Sequence, residues 1–206
     1  MEQKAENPIQ TLEGITIAPL IAAYFELCHL KQLYRQGWLK RGIPRERCES
    51  VAEHTFGAAM LAWWLAQTSR PDLDLCKVVK LALVHDFGEV YAGDIIPADG
   101  ISEQEKSRRE SVAVQQVFSK LPGGQIWIEA WREFEEGATA EALFVRQIDR
   151  LEMGLQAVVY ARQGLGEMSE FINSARRALT DADLIGLLEA AASLTNGFDN
   201  KIERSY

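Results

Sequence analysis

Apolar residues return every three or four positions along most of this 206-residue chain, and no stretch alternates apolar and polar as a half-buried strand would. Leu20, Tyr24, Leu27, Leu30 and Tyr34 mark a first helical stripe within residues 16–35. The segment GWLKRGIPRERCES then breaks the pattern with Gly37, Gly42 and Pro44, which predicts a loop. Ser50 and Glu53 have capping-box spacing, so a second helix is expected from there through VAEHTFGAAMLAWWLAQ. Asp74 is placed to cap a third, LCKVVKLALVHDF. Ser102 and Glu105 form another box that opens a helix to about Ser119, which LPGG closes. Further helices are predicted over QIWIEAWREFEEG, from about Thr139 to Arg162, and over residues 168–179 and 181–195. The expectation is an all-α bundle of roughly eight helices, one domain over residues 1–206 with neither internal repeat nor linker.

Composition narrows the class. Hydrophobic residues make up 47% and charged residues 25%, ordinary for a soluble chain with a sizeable core. Lys and Arg number 22 against 30 Asp and Glu, a net charge of −8, which disfavours a nucleic-acid-binding surface. A small phosphorylated substrate remains open, because a bound divalent cation supplies positive charge locally. Cys28, Cys48 and Cys76 are widely spaced and form no CxxC, so neither a zinc ribbon nor a disulfide framework is expected and a reducing, cytoplasmic setting fits. MEQKAENPIQTLEG lacks the apolar core of a secretion signal, and GAAMLAWWLA is too short to span a membrane.

The chemistry is concentrated in LALVHDFGEVYAGD, where an apolar run ends in His85, Asp86, Glu89 and Asp94. His54 lies one turn into the second helix, amid Val51, Ala52, Phe56 and Ala58. A lone His in such a place is more often a satisfied core or rim residue than a ligand. The His85–Asp86 dipeptide alone is a weak motif. Two such histidines with a neighbouring Asp shift the balance towards a metal. Adjacent helical residues diverge by about 100°, yet a long imidazole and a short carboxylate still converge on one ion. Glu89, at i+4 from His85 and i+3 from Asp86, overlooks the same patch. Asp149, in FVRQIDRLEMG, sits beside the apolar face of Phe144, Ile148, Leu151 and Leu155. A metal would relieve the cost of burying it; so would an ion pair with Arg146 or Arg150, or simple exposure. Two imidazoles and two carboxylates suit Mn²⁺, Fe²⁺, Co²⁺, Ni²⁺ or Zn²⁺ and leave positions open for water and a phosphoryl oxygen. A closed structural zinc site would have used thiolates.

The order His54, His85–Asp86, Asp149 on successive helices resembles the HD-domain superfamily of metal-dependent phosphohydrolases. The blocks LKQLYRQGWLKRGI, ESVAEHT, LALVHDFGEVYAGDIIPAD, EKSRRE and FVRQIDRLEM are similar to its 5′-deoxynucleotidase branch, over about Leu30 to Tyr160. The resemblance implies that His54, His85, Asp86 and Asp149 ligate one divalent cation (Mn, Co, Mg, Ni, Fe or Zn). It gives Glu89 the proton of the attacking water and makes Asp94 a second carboxylate nearby. A second cation near Glu89 and Asp94, helped by the Ile95 carbonyl, belongs to the same expectation. Arg35 matches an arginine that faces the substrate phosphate, a task its planar fork suits. Glu110, in EKSRRE, is expected close to the pocket, and a homodimer is implied. Bacterial members carry an aromatic residue directly after that arginine, whereas this chain has Gln36, with Trp38 further on. Trp38 is then either a substitute stacking surface for the substrate or a plug between helix and loop. His29 has no counterpart among the ligands and reads as structural or exposed.

The expected reaction is hydrolysis of (deoxy)nucleoside 5′-monophosphates to nucleoside and phosphate. Alternatives are hydrolysis of a nucleoside triphosphate, an alarmone or a cyclic phosphodiester, or a non-catalytic helical protein with a structural metal. Glu89 and Asp94 fit the last poorly, since a purely structural ion has little use for extra carboxylates.

Overall fold

The computed structural model describes residues 1–195. Its helices are α1 (Pro19–Leu27), α2 (Gln36–Lys40), α3 (Val51–Ser69), α4 (Leu75–Val84), α5 (Glu89–Ala92), α6 (Glu103–Phe118), α7 (Gln125–Glu136), α8 (Ala140–Arg162), α9 (Ser169–Ala178) and α10 (Ala182–Ser193). Side-chain caps start the longer ones. Ser50 accepts from the Glu53 N–H while the Glu53 carboxylate takes the Ser50 N–H, a complete box at the head of α3. Asp74 accepts from Lys77 N–H to open α4, and Thr139 from Ala142 N–H to open α8. The box at Ser102 forms only in part: Ser102 accepts from Glu105 N–H, but the Glu105 carboxylate holds Arg108 and Arg109. Among the described residues there is no strand, only isolated bridges pairing Gln3 with Leu33 and Tyr34 with Ser50.

All eight expected helices are present, with three differences. The first shrinks to α1, and residues Cys28–Lys31 tighten into a 3₁₀ turn. His29 fastens that turn, donating from Nδ1 to the Val90 carbonyl at 2.6 Å and meeting the Gln3 side chain with Nε2. The face of α1 is also not the expected one. Leu20 and Tyr24 are 70% and 59% exposed, while Ala23 and Glu26 are buried. Finally, α2 falls largely in the segment expected as a loop, and α5 lies where no element is expected, because five and four residues are too few to show a period.

The core is built around α8, about 35 Å long at 1.5 Å per residue. It packs against α3, α4, α7, α9 and α10. Val145, Ile148, Leu151 and Ala157 form its buried stripe. Facing it, α3 buries mostly small residues (Ala58, Ala59, Ala62 and Ala66), which lets helix axes approach closely. Gly154 serves the far side of α8, where a Cβ would meet Leu188 at 2.7 Å and Ala175 at 2.9 Å. The helical trio α3, α4 and α8 therefore converges tightly, and the residues at that convergence are polar.

Candidate metal centre

His54 stands in the first turn of α3, held there by the Ser50–Glu53 box, and is 1% exposed. His85 follows the end of α4 as its C-cap residue, still in helical backbone (φ −56°, ψ −38°). The helix itself stops at Val84, short of the expected Phe87, and residues 85–88 turn the chain into α5. Asp149 projects from the middle of α8. These three bring one ligand atom each within 4.8 Å of the others. His54 Nε2 lies 3.0 Å from Asp149 Oδ1 and 3.4 Å from His85 Nε2. Asp86 closes the set, its Oδ2 at 3.2 Å from His85 Nε2 and 3.7 Å from His54 Nε2. The structure thus brings together all four ligands expected from the sequence. The alternative partner for Asp149, Arg150, is also in reach at 3.6 Å, whereas Arg146 turns to the Glu135 carbonyl.

The donor set fits a divalent cation. The His85 Nδ1 lies 2.8 Å from the Ala82 carbonyl, which only accepts, so Nδ1 carries the proton and Nε2 offers its lone pair. Asp86 Oδ2 is buried and makes no hydrogen bond, an expense that a cation removes. Electrostatics ask for the same positive charge. Burial and Arg35 work against a charged His54, yet Asp149 and Glu152 carry its pKa up to about 10. Burial pushes the Asp86 and Asp149 carboxyls up, but the two imidazoles outweigh it and hold both well below the usual range.

Glu89, at the start of α5, is 4% exposed and its Oε2 also lacks a hydrogen-bond partner. Burial first, then Asp86 and Asp94, push its carboxyl well above the ordinary value. Arg35, which caps α2, places Nη1 at 3.0 Å from Asp94 Oδ1 and 4.0 Å from Glu89 Oε1. The other Asp94 oxygen accepts the Gln36 N–H, so both its oxygens are committed to orienting the arginine segment. Glu110, on α6, is buried beside this group. Gly88 permits that approach: a Cβ there would lie 2.4 Å from the Glu110 Cβ. Burial raises the Glu110 carboxyl to about 7 despite Lys106 at 3.7 Å.

These groups open into a cavity of ≈ 590 Å³ that Arg35, Asp86, Glu89, Asp94 and Asp149 share with Lys106, Met153 and Phe171. Trp38 is only 2% exposed, donates its Nε1–H to Glu49 at 2.8 Å, and packs on Phe171 and Tyr160 with ring centroids 4.1 and 5.2 Å away. It lines the cavity together with the partly buried Phe171 of α9, on which it packs.

Lys106, Phe171, Glu49 and Glu152 were not singled out from the sequence. Glu152 was within reach, since it lies three residues after Asp149 on the same face of α8. Phe171 carried no signal, because only tertiary packing of α9 on α8 brings it to the site.

Comparison with known proteins adds independent findings. The HD domain family profile matches residues 27–184. The chain is 37% identical to the 5′-deoxynucleotidase HDDC2 of Homo sapiens over 163 residues, 77% of this chain and 78% of that one. A crystal structure of a Pyrococcus horikoshii protein superposes with a TM-score of 0.70 at 30% identity, covering 84% of this chain and 99% of that one. A predicted metal-dependent phosphohydrolase from Magnetospirillum magnetotacticum gives a TM-score of 0.67 at 25% identity, covering 86% and 91%.

Proposed function

The chain belongs to the HD domain family and is a metal-dependent phosphohydrolase, and from that premise we propose that its substrates are deoxynucleoside 5′-monophosphates, hydrolysed to deoxynucleoside and phosphate. The observation that carries this reading is a cavity in which Asp86 and Asp149, the carboxylates that meet His54 and His85, share the lining with Glu89, Arg35, Lys106 and Phe171. Its volume suits a small molecule, in the usual range of about 300–1,000 Å³.

His54, His85, Asp86 and Asp149 would hold the divalent cation. When bound, that cation supplies Lewis acidity to the attacking water and to a phosphoryl oxygen. Glu89 accepts the proton of the water, and burial has already raised its basicity for that step. Arg35, fixed by Asp94, presents its guanidinium to the phosphoryl oxygens, and Lys106 lines the same cavity as a second cation. A second metal near Glu89 and Asp94 would have to displace Arg35, which lies within 4.0 Å of both carboxylates. Phe171, supported from behind by Trp38, offers the base a stacking face, so Trp38 contributes to substrate binding through its neighbour.

The whole chain acts as one HD domain in this reading, and as a homodimer. Support for the dimer comes from Phe56 and Trp63, exposed at 67% and 48% on one face of α3 at i and i+7. Sedimentation at micromolar concentration giving a monomer would remove it. A cytoplasmic setting agrees with the free cysteines Cys28, Cys48 and Cys76 and the net charge of −8. No described helix is long and apolar enough to cross a membrane.

Phosphate release from a panel of deoxy- and ribonucleoside 5′-monophosphates tests the substrate. Chelator-stripped protein is resupplied with Mn²⁺, Co²⁺, Mg²⁺, Ni²⁺, Fe²⁺ or Zn²⁺ in turn. Release restored by metal and fastest on deoxy substrates is the expected result. Silence on all monophosphates, with release from a triphosphate, alarmone or cyclic diester, contradicts it.

A further inference from the structure

We propose that Glu152 is a positioning residue for the metal site: it fixes the His54 ring through Nδ1 so that Nε2 faces the ion, and Gly57 is the socket that admits it. This rests on the metal-site part of the proposed function and not on the choice of substrate.

An imidazole ligates through one nitrogen only when the proton is kept on the other, so each ligating histidine needs a partner for its second nitrogen. The two histidines meet that need differently. His85 uses the main chain, through the Ala82 carbonyl. His54 uses a side chain, since its Nδ1 lies 2.5 Å from Glu152 Oε2, a contact in which the imidazole and carboxylate side chains are 1% and 8% exposed. An ionised carboxylate only accepts, so Nδ1 keeps a proton, and Nε2, which faces Asp149, Asp86 and His85, is the nitrogen left to exchange its proton for a cation. Asp149 and Glu152 are one turn apart on α8, so the same helix supplies one ligand and orients another.

The second observation is a glycine in the middle of α3. Gly in a helix interior costs stability relative to Ala, and position 57 is otherwise an ordinary helical site. A Cβ at Gly57 would lie 2.7 Å from Glu152 Oε1 and 3.3 Å from its Cδ, so any larger residue displaces this carboxylate. Gly57 is itself one turn beyond His54, directly over the contact it protects.

Glu49 extends the arrangement outward. Ligand atoms of Glu49, His54 and Glu152 all lie within 4.8 Å of one another, and Glu49 accepts the Trp38 Nε1–H at 2.8 Å. The back wall of the cavity is thereby tied to the ring of a metal ligand. The same three residues could be read as a second cation site, but that would require His54 to give up both of its protons.

The test is Co²⁺ titration of chelator-stripped wild type, Glu152→Ala, Glu152→Gln, Gly57→Ala and the Gly57→Ala/Glu152→Ala double variant, with melting of each stripped protein alongside. Glu152→Ala is expected to weaken Co²⁺ binding about 10- to 100-fold. Glu152→Gln, which still accepts from Nδ1–H, loses less. Gly57→Ala weakens binding in the same direction, and in the double variant it adds nothing to Glu152→Ala. The stripped double variant melts above Glu152→Ala, because alanine favours the helix once the carboxylate is gone. With the diamagnetic Zn²⁺ bound, long-range ¹⁵N spectra should give His54 as the Nδ1–H tautomer in wild type and a less uniform ring state in Glu152→Ala.

Affinities equal within about twofold across the set, set against the loss expected of an orienting partner, would overturn the inference alone and leave Glu152 a packing residue. A second equivalent of Co²⁺ lost with Glu152→Ala would replace it with a second metal site. Wild type that takes up no divalent metal would overturn the site reading and this inference with it.

Discussion

Glu26 and Glu89 are both buried glutamates, 2% and 4% exposed, and the short helix α5 stands between them. Glu26 is complete: Tyr91, from the other side of α5, donates to one oxygen at 2.6 Å and Lys120 to the other at 2.5 Å. Glu89 is not. Its Oε2 has no hydrogen-bond partner and its nearest cation, Arg35, is bound to Asp94. A carboxylate buried to hold helices together carries its cation with it, here joining α1, α5 and the turn that follows α6. The role proposed for Glu89 calls for the reverse, an oxygen left free for something that comes and goes. Asp86, with its own unpartnered Oδ2, belongs to the second kind.

The contrast is sharpest under substitution. Glu89→Gln should lower turnover by about 10²- to 10⁴-fold, the usual worth of a positioned general base. Its metal affinity and melting temperature should stay close to wild type, and turnover that survives would remove Glu89 from the proton transfer. Lys120→Met should do the opposite. It leaves one oxygen of the buried Glu26 without its partner, at a cost of about 3 kcal/mol, while the protein that remains folded keeps its turnover. Denaturant melts that show no loss would mean that the Tyr91 hydrogen bond alone satisfies Glu26.

A smaller effect separates the two kinds by pH. Glu110 is buried near Glu89, and its pKa is raised from 4.5 to about 7 by burial. In the folded protein it therefore binds its proton more tightly than in the unfolded chain. The stability it contributes is present below its unfolded pKa and is lost as pH rises to about 7. Glu110→Gln should accordingly gain on wild type between pH 5 and pH 8, by something on the order of 2 kcal/mol. Thermal melts in which the difference is flat across that range would contradict the assignment.

How much of this was legible follows from range. Helix starts written in adjacent residues came through, as at Ser50–Glu53, Asp74 and Thr139. The four residues proposed as metal ligands were legible because their types are costly to bury without a partner, and the structure brings them together. Apolar spacing gave a stripe on α1 but not its direction: Leu20 and Tyr24 point outward because the buried side of α1 is spent on Glu26 and its partners. Glu152 was written at i+3 from Asp149, yet only the structure turns that spacing into a contact with His54. Phe171 enters the cavity through packing between elements far apart in the chain, which no local pattern encodes.

The central claim is that one divalent cation sits where the imidazoles of His54 and His85 meet the carboxylates of Asp86 and Asp149. The most direct test is an anomalous difference map from crystals grown with Co²⁺. The account predicts one strong peak bonded to His54 Nε2, His85 Nε2 and an oxygen each of Asp86 and Asp149, with metal–ligand distances of about 2.0–2.2 Å. A peak bound elsewhere, or none at this convergence of α3, α4 and α8, would contradict it.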